Sequence, residues 1–64
     1  MLEKFKGKFW TDEKEMVEEI EKNSDYDVLD VSFSYLNVID RTGDDGEEIL
    51  LEIIRAGSTI TLRI

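Results

Sequence analysis

Residues 49–64 contain two runs of apolar side chains on either side of a short turn, and this arrangement constrains the fold more than any other feature. The first run reads ILLEIIR, and the last, STITLRI, alternates between apolar and polar side chains. Between them lies Arg55-Ala56-Gly57-Ser58, in which Gly57 supplies the positive φ of a tight turn. The pattern predicts an antiparallel hairpin of two strands, at about 47–55 and 58–64.

The first strand of this hairpin has apolar side chains on both of its faces. Ile49, Leu51 and Ile53 share one face, whereas Leu50 and Ile54 lie on the other face with glutamates. Apolar side chains on both faces are typical of a central strand that is covered from both sides. The sequence therefore predicts that other parts of the chain, or another molecule, cover this strand twice.

One amphipathic helix is predicted over about residues 11–23. Thr11 or Asp12 is a suitable N-cap, and Asp12 with Glu15 has the spacing of a capping box. Three apolar side chains share one face of this helix: Met16, Val17 and Ile20. A stripe this narrow favours a helix that packs on a sheet and leaves its remaining surface in water.

A third strand is predicted between the helix and the hairpin, over about residues 27–39. Its alternation places four side chains on one buried face: Leu29, Val31, Phe33 and Tyr35. The alternation breaks at Tyr35-Leu36, which indicates either a bulge near Ser34 or a second apolar face.

Residues 2–9 alternate phenylalanine with lysine, which predicts a short N-terminal strand, with an extended arm as the alternative. Together the patterns predict one α+β domain over residues 1–64, in which the helix packs on a three-stranded antiparallel meander.

The acidic stretch IDRTGDDGEEI, residues 39–49, raises the question of a calcium loop. Such a loop needs oxygen ligands at positions 1, 3 and 5, glycine at position 6 and glutamate at position 12. With Gly46 as position 6, Glu52 falls at position 12, but Arg41 and Gly43 occupy positions 1 and 3. The flanking segments are also predicted strands rather than helices. The stretch is therefore interpreted as a hairpin loop, and neither a metal nor a cofactor is expected.

The residue inventory argues against catalysis. The chain has 64 residues without a single cysteine or histidine, so it lacks the usual partners of a nucleophilic serine. No glycine-rich phosphate loop precedes the helix, and an enzyme is not expected. No apolar segment approaches the roughly 18 residues of a membrane span, and no signal peptide is recognised. A soluble cytoplasmic protein is the expectation.

The charge balance is the main indication of function. Sixteen acidic residues against eight basic ones give a net charge of −8. Such a domain repels nucleic acid and anionic membranes, and it favours a basic protein as its partner. The candidate partner-binding residues are four carboxylates of the predicted helix, hereafter the acidic helix face: Asp12, Glu15, Glu18 and Glu19.

Side chains one helical turn apart lie about 5–6 Å from each other, a spacing similar to that of phosphates along a nucleic-acid strand. The leading prediction is therefore a small acidic interaction module that inhibits a nucleic-acid-processing or defence protein by occupying its basic groove. In outline, such a chain resembles the small acidic, cysteine-free proteins with which mobile elements inhibit host defence nucleases. The alternative is that the acidity only keeps a small domain soluble.

A second surface is predicted on the sheet face that points away from the helix. Four apolar side chains are assigned to it: Leu36, Val38, Leu50 and Ile54. A contiguous apolar patch of this kind marks a contact, and the simplest contact is a two-fold homodimer. The alternative is that the N-terminal arm covers this face through Leu2 and Phe5. The second functional prediction is accordingly a self-associating structural domain, natural or designed, without catalytic activity.

Overall fold

A computed structural model describes residues 2–22 and 25–64 of the chain. A 3-10 turn at Leu2–Phe5 precedes helix α1, Glu13–Glu21, and four strands follow: β1 Tyr26–Val31, β2 Tyr35–Asp40, β3 Glu47–Ala56 and β4 Thr59–Arg63. The strands form one antiparallel sheet in sequential order, and α1 packs on one face of it. The predicted α+β class is confirmed, but this sheet has four strands instead of three.

Helix α1 begins where the capping signal predicts. Asp12 is the N-cap, and its Oδ1 accepts a hydrogen bond from the backbone N–H of Glu15 at 2.8 Å. This bond satisfies one of the amides that the first turn of a helix leaves without a partner. Met16 and Ile20 are fully buried against the sheet. The predicted end of the helix at Asn23 lies outside the described residues.

The N-terminal segment is not the strand that its alternation predicts. Leu2 and Phe5 are three residues apart, so a 3-10 turn brings both side chains to one side, where they are buried. The backbone N–H of Lys8 then donates to the carbonyl oxygen of Phe5 at 3.1 Å, across a turn in which Gly7 has φ 79°. Phe9, the third member of the predicted strand face, is 66% exposed.

The single strand predicted over 27–39 is wrong, because the chain reverses direction at residues 32–34. The backbone N–H of Ser32 donates to the carbonyl oxygen of Tyr35 at 2.8 Å, and the backbone N–H of Tyr35 donates to Ser32 Oγ at 2.9 Å. Serine hydroxyls commonly close turns in this way. The result is a hairpin in which β1 and β2 pair with each other.

Most of the buried face predicted for this region is also wrong, because only Val31 of its four residues packs against the core. Leu29, Phe33 and Tyr35 are 52%, 76% and 49% exposed. A bulge between Val28 and Asp30 leaves Leu29 without a partner residue on β2, which interrupts the alternation of β1. The turn at residues 32–34 interrupts the alternation a second time. Each interruption changes which parity of residue faces the core.

The core lies between the sheet on one side and α1 with the N-terminal segment on the other. Its buried apolar side chains are Leu2, Phe5, Trp10, Met16, Ile20, Tyr26, Leu36, Val38, Leu51, Ile53, Ile60 and Leu62. Trp10 and Ile60 form an isolated antiparallel bridge, which joins the segment before α1 to the outer edge of β4. The ring of Phe5 lies between those of Trp10 and Tyr26, at centroid distances of 6.5 Å and 6.1 Å.

The predicted C-terminal hairpin is confirmed. Strands β3 and β4 pair from Glu52↔Arg63 to Ala56↔Thr59, and Gly57 has φ 61° in the turn. The described residues cover β3 on one face only, so the alternative in which the chain itself covers both faces is wrong. Leu50 is 63% exposed, because the N-terminal segment packs on the helix side of the sheet. The described part of the chain thus forms two layers, with one sheet face open to solvent.

No helix among the described residues is long and apolar enough to cross a membrane.

Candidate functional site

Two members of the acidic helix face have local structural roles at the start of α1. The carboxylate of Asp12 caps the helix, and Glu15 accepts a hydrogen bond from Thr11 Oγ1 at 2.7 Å. Both side chains are nevertheless exposed. Because both are acidic and lie in or before the first turn, they also interact favourably with the positive end of the helix dipole.

Glu19 is the most constrained member of the acidic helix face. Lys8 Nζ donates to Glu19 Oε2 at 2.5 Å, and Trp10 Nε1 donates to Glu19 Oε1 at 3.1 Å. The hydrogen bonds from Lys8 and then Trp10 lower the pKa of Glu19 below its ordinary value of 4.5, since both favour the ionised carboxylate. Glu19 is therefore negatively charged at neutral pH, in a position set by the N-terminal segment.

The structure brings three of the four predicted carboxylates to one side of α1. With 3.6 residues per turn, Glu15, Glu18 and Glu19 fall within about one third of the helix circumference, and Asp12 lies just before the helix as its N-cap. Glu18 is exposed on this surface. Hydrogen bonds hold the other three, so most of the acidic helix face is ordered as well as charged. The bonds of Asp12 and Glu15 are local to the start of α1, and that of Glu19 comes from Lys8 in the N-terminal segment.

The acidic stretch 39–49 contains the loop between two paired strands, residues 41–46, as its glycines and flanking alternation predict. Asp40 pairs with Glu47 across the base of the loop, and Gly46 has φ 64°. The hydroxyl and backbone N–H of Thr42 both donate to Asp40, which lowers the pKa of that carboxyl. Within residues 2–22 and 25–64, no group of three acidic side chains is placed to hold a metal ion.

The residues predicted for self-association do not lie together. Leu36 and Val38 are fully buried in the core, so their assignment to the open sheet face is wrong. The turn at 32–34 is the reason, because it reverses the chain and directs these two side chains towards α1. Leu50 and Ile54 do lie on the open face, hereafter the outer face, and are 63% and 36% exposed.

Tyr35 is the outer-face residue that sequence reasoning missed. It is 49% exposed and pairs with Glu52 of β3, which places it diagonally between Leu50 and Ile54. The alternation of residues 29–35 assigns it to the core instead. The signal that identifies its true position is the pair of serines at 32 and 34, since serine favours turns and breaks strand patterns.

A concavity of the described surface lies between the N-terminal segment and α1, and it is lined by Lys4, Phe5, Lys8, Glu19 and Lys22. In it Lys8 already pairs with Glu19, and Lys4 pairs with Asp25 at 3.5 Å. The two carboxyl groups with shifted pKa values, Glu19 and Asp40, are both shifted downwards, which makes them poorer proton donors at neutral pH.

No protein-family model matches the chain, and comparisons with curated proteins and with solved structures also find no match.

Proposed function

We propose that this chain is a non-catalytic interaction domain that binds a basic protein through the acidic helix face. The observation that carries the proposal is the ordering of these carboxylates: Asp12, Glu15 and Glu19 are each held by a hydrogen bond within the chain. A surface whose side chains are already positioned loses less conformational entropy when a partner binds. The favoured partner is the nucleic-acid-binding groove of a processing or defence protein.

Electrostatics support this choice of partner. The net charge of −8 on 64 residues accelerates encounter with a basic surface and opposes binding to nucleic acid or to an anionic membrane. The lowered pKa of Glu19 keeps its charge across the physiological range. The absence of cysteine is compatible with a reducing compartment, and we place the interaction in the cytoplasm.

Competition with nucleic acid tests the proposal. A panel of basic nucleases and DNA-binding proteins is loaded with a fluorescent DNA duplex, and displacement of the duplex by this protein is followed by fluorescence anisotropy. The expected result is displacement of the duplex from at least one panel member. The concentration of this protein needed for displacement should rise with salt, because salt screens ion pairs. Absence of displacement from every member would overturn the proposal.

A matched pair of variants separates a specific surface from a general charge effect. Glu15→Lys with Glu18→Lys reverses two charges of the acidic helix face, and Asp44→Lys with Asp45→Lys makes the same change of net charge in the β2–β3 loop. The helix variant should weaken displacement by at least about tenfold, and the loop variant by far less, since contacts at the interface exceed screened long-range attraction. Equal weakening would remove the assignment to α1.

The second candidate function is a self-associating structural domain, natural or designed, and the exposure of Leu50 and Ile54 on one face favours it. Native mass by sedimentation equilibrium, at low and high salt, is the direct measurement. A salt-resistant dimer that Leu50→Asp with Ile54→Asp converts to monomer would support self-association. A monomer under all conditions would exclude a homodimer.

A further inference from the structure

The outer face carries a continuous apolar stripe that crosses two strands. Asn37 pairs with Leu50 and Tyr35 pairs with Glu52, so Leu50 lies diagonally next to both Ile39 and Tyr35, and Ile54 lies diagonally next to Tyr35. Diagonal neighbours across an antiparallel pair are about 7–8 Å apart, within reach of long and aromatic side chains. These four residues, Ile39, Leu50, Tyr35 and Ile54, are hereafter the outer stripe.

Three of the four residues of the outer stripe are exposed, and Ile39 is half-buried beside the β2–β3 loop. Leu50, Tyr35 and Ile54 are 63%, 49% and 36% exposed, although each has large apolar area to bury. Helix α1 and the N-terminal segment both pack on the opposite side of the sheet. Grouped exposed apolar side chains on a small domain indicate a contact surface, and tyrosine is among the residues that contribute most at such contacts.

Carboxylates alternate with the apolar side chains of the stripe. Asp27 and Glu48 flank Ile39 on either side, Asp30 pairs with Asn37, and Glu52 flanks Tyr35. Two guanidiniums balance part of this charge, because Arg41 pairs with Asp27 at 2.8 Å and Arg63 pairs with Glu52 at 3.0 Å. Four carboxylates against two guanidiniums leave the outer face with an excess negative charge.

This charge pattern distinguishes between the two kinds of occupant. A second copy of the chain would place one set of carboxylates against another, and like charges at an interface oppose association. A segment with lysine or arginine beside its apolar residues would cover the stripe and neutralise the carboxylates at the same time. Asn37 Nδ2 donates to Glu48 Oε2 at 2.9 Å, which holds one of these carboxylates at the edge of the stripe.

We infer that the outer face is a docking surface for a segment of another protein that presents basic and apolar side chains on the same side. The apolar side chains pack on Leu50, Tyr35 and Ile54, and the basic ones pair with Asp30 and Glu48, the two carboxylates of the outer face that no arginine of the described chain occupies. This surface lies on the opposite side of the sheet from α1, so the inference does not depend on the acidic helix face.

A synthetic peptide of about ten residues is a suitable probe if every second position is isoleucine or lysine in turn and serine fills the positions between them, because an extended chain then presents both residue types on one side. The control peptide has glutamate in place of each lysine. Binding is mapped by the amide NMR chemical shifts of the full chain. The expected shifts follow β2 and β3 around Tyr35, Leu50 and Glu52, and only the basic peptide should cause them. Shifts confined to α1, or no shifts from either peptide, would overturn the inference.

Variants then test the assigned side chains. Tyr35→Ser with Leu50→Ser should weaken peptide binding by at least about tenfold, because it removes the centre of the stripe. Phe9→Ser is the matched control, since Phe9 is 66% exposed but lies in the N-terminal segment. Equal weakening by both variants would overturn the inference. A second result would also overturn the inference: the native protein sediments as a dimer, and only the Tyr35→Ser, Leu50→Ser variant is a monomer. A second copy of the chain would then occupy the outer face.

The two proposals fail separately. Duplex displacement by the Glu15→Lys, Glu18→Lys variant tests only whether α1 binds the basic partner. The peptide titration tests only whether the outer face binds a segment of another protein. Peptide binding that survives in the helix variant and is lost in the Tyr35→Ser, Leu50→Ser variant would support the outer face whatever the outcome at α1.

Discussion

The guanidinium of Arg55 lies 4.7 Å from the centroid of the Phe33 ring, and its Nε donates a hydrogen bond to the carbonyl oxygen of the same residue at 2.8 Å. Arg55 is in β3 and Phe33 is in the turn between β1 and β2, so this contact connects the turn to one of the two central strands of the sheet. Arg55 Nη2 also donates to Glu13, the first residue of α1. One half-buried side chain therefore joins three elements of the fold.

Replacement of Arg55 by glutamine should destabilise the protein by about 2 kcal/mol, because it removes a charge-assisted hydrogen bond, an ion pair and the contact with the Phe33 ring. Arg63→Gln is the control. The Arg63–Glu52 pair is more exposed than the Arg55–Glu13 pair, and its loss should cost less than about 1 kcal/mol. Urea unfolding measures both, and equal losses would contradict the role assigned to Arg55.

Gly57→Ala should destabilise the β3–β4 hairpin by about 1 kcal/mol, because φ 61° at this position is strained for any residue with a Cβ. Apart from the two adjacent residues, no heavy atom of the described chain lies within 4 Å of the added Cβ, so the cost is conformational rather than steric. Gly43→Ala in the β2–β3 loop meets no atom either and has no such φ, and it should leave stability almost unchanged. Thermal melts of the two variants give the comparison; a Gly57→Ala protein as stable as Gly43→Ala would contradict the strain argument.

The contribution of Glu19 to stability should depend on pH in the acidic range. Its pKa is lower in the folded chain than its ordinary value of 4.5, so protonation on acidification occurs first in the unfolded state. The stabilisation by its charge is therefore complete above that value and is lost as pH falls through the folded pKa. Glu19→Gln should cost about 1 kcal/mol at neutral pH and progressively less below about pH 4.

Urea unfolding of wild type and Glu19→Gln across this range provides the measurement. Glu18→Gln is the control, because Glu18 is an exposed glutamate on the same helix. It should remain within about 0.5 kcal/mol of wild type throughout. A difference for Glu19→Gln that stays constant with pH would show that its charge is not what stabilises the fold.

Tyr26→Phe should stabilise the protein by about 1 kcal/mol, because the Tyr26 hydroxyl is buried without a hydrogen-bond partner among the described residues. Burial raises the pKa of this hydroxyl, as do the carboxylates of Asp40 and Asp25, so it remains neutral and gains nothing from ionisation. Tyr35→Phe removes an exposed hydroxyl and should have little effect. Chemical unfolding compares the two, and a loss of stability in Tyr26→Phe would show that the hydroxyl has a partner.

Local signals predicted α1 and the β3–β4 hairpin well. The Asp12 cap, the Met16 and Ile20 spacing and the Gly57 turn each depend on a few neighbouring residues, and the fold retains what those residues favour. The region 26–40 was predicted poorly, because Leu29 to Tyr35 reads as a continuous alternation although a bulge and a turn interrupt it. Alternation alone does not reveal where a strand ends when the turn itself contains an aromatic residue.

The same interruption explains the mixed result for the candidate surfaces. The sequence located the acidic helix face, because helical periodicity alone determines which carboxylates share a side. It assigned Leu36 and Val38 to the outer face and Tyr35 to the core, and both assignments were wrong. A shift of one position along a strand exchanges its two faces, so one unrecognised turn was enough to move all three residues.

By itself the sequence determined the α+β class, the start of α1, the C-terminal hairpin and the strongly negative charge, since periodicity, capping, turn glycines and residue counts are local or additive properties. Tertiary structure alone decided which sheet face stays open. Leu2 and Phe5 have room beside Trp10 and Tyr26 on the helix side, and burial there leaves the outer stripe without cover. Which sheet face stays open depends on contacts between residues far apart in the chain, and a local sequence pattern does not show such contacts.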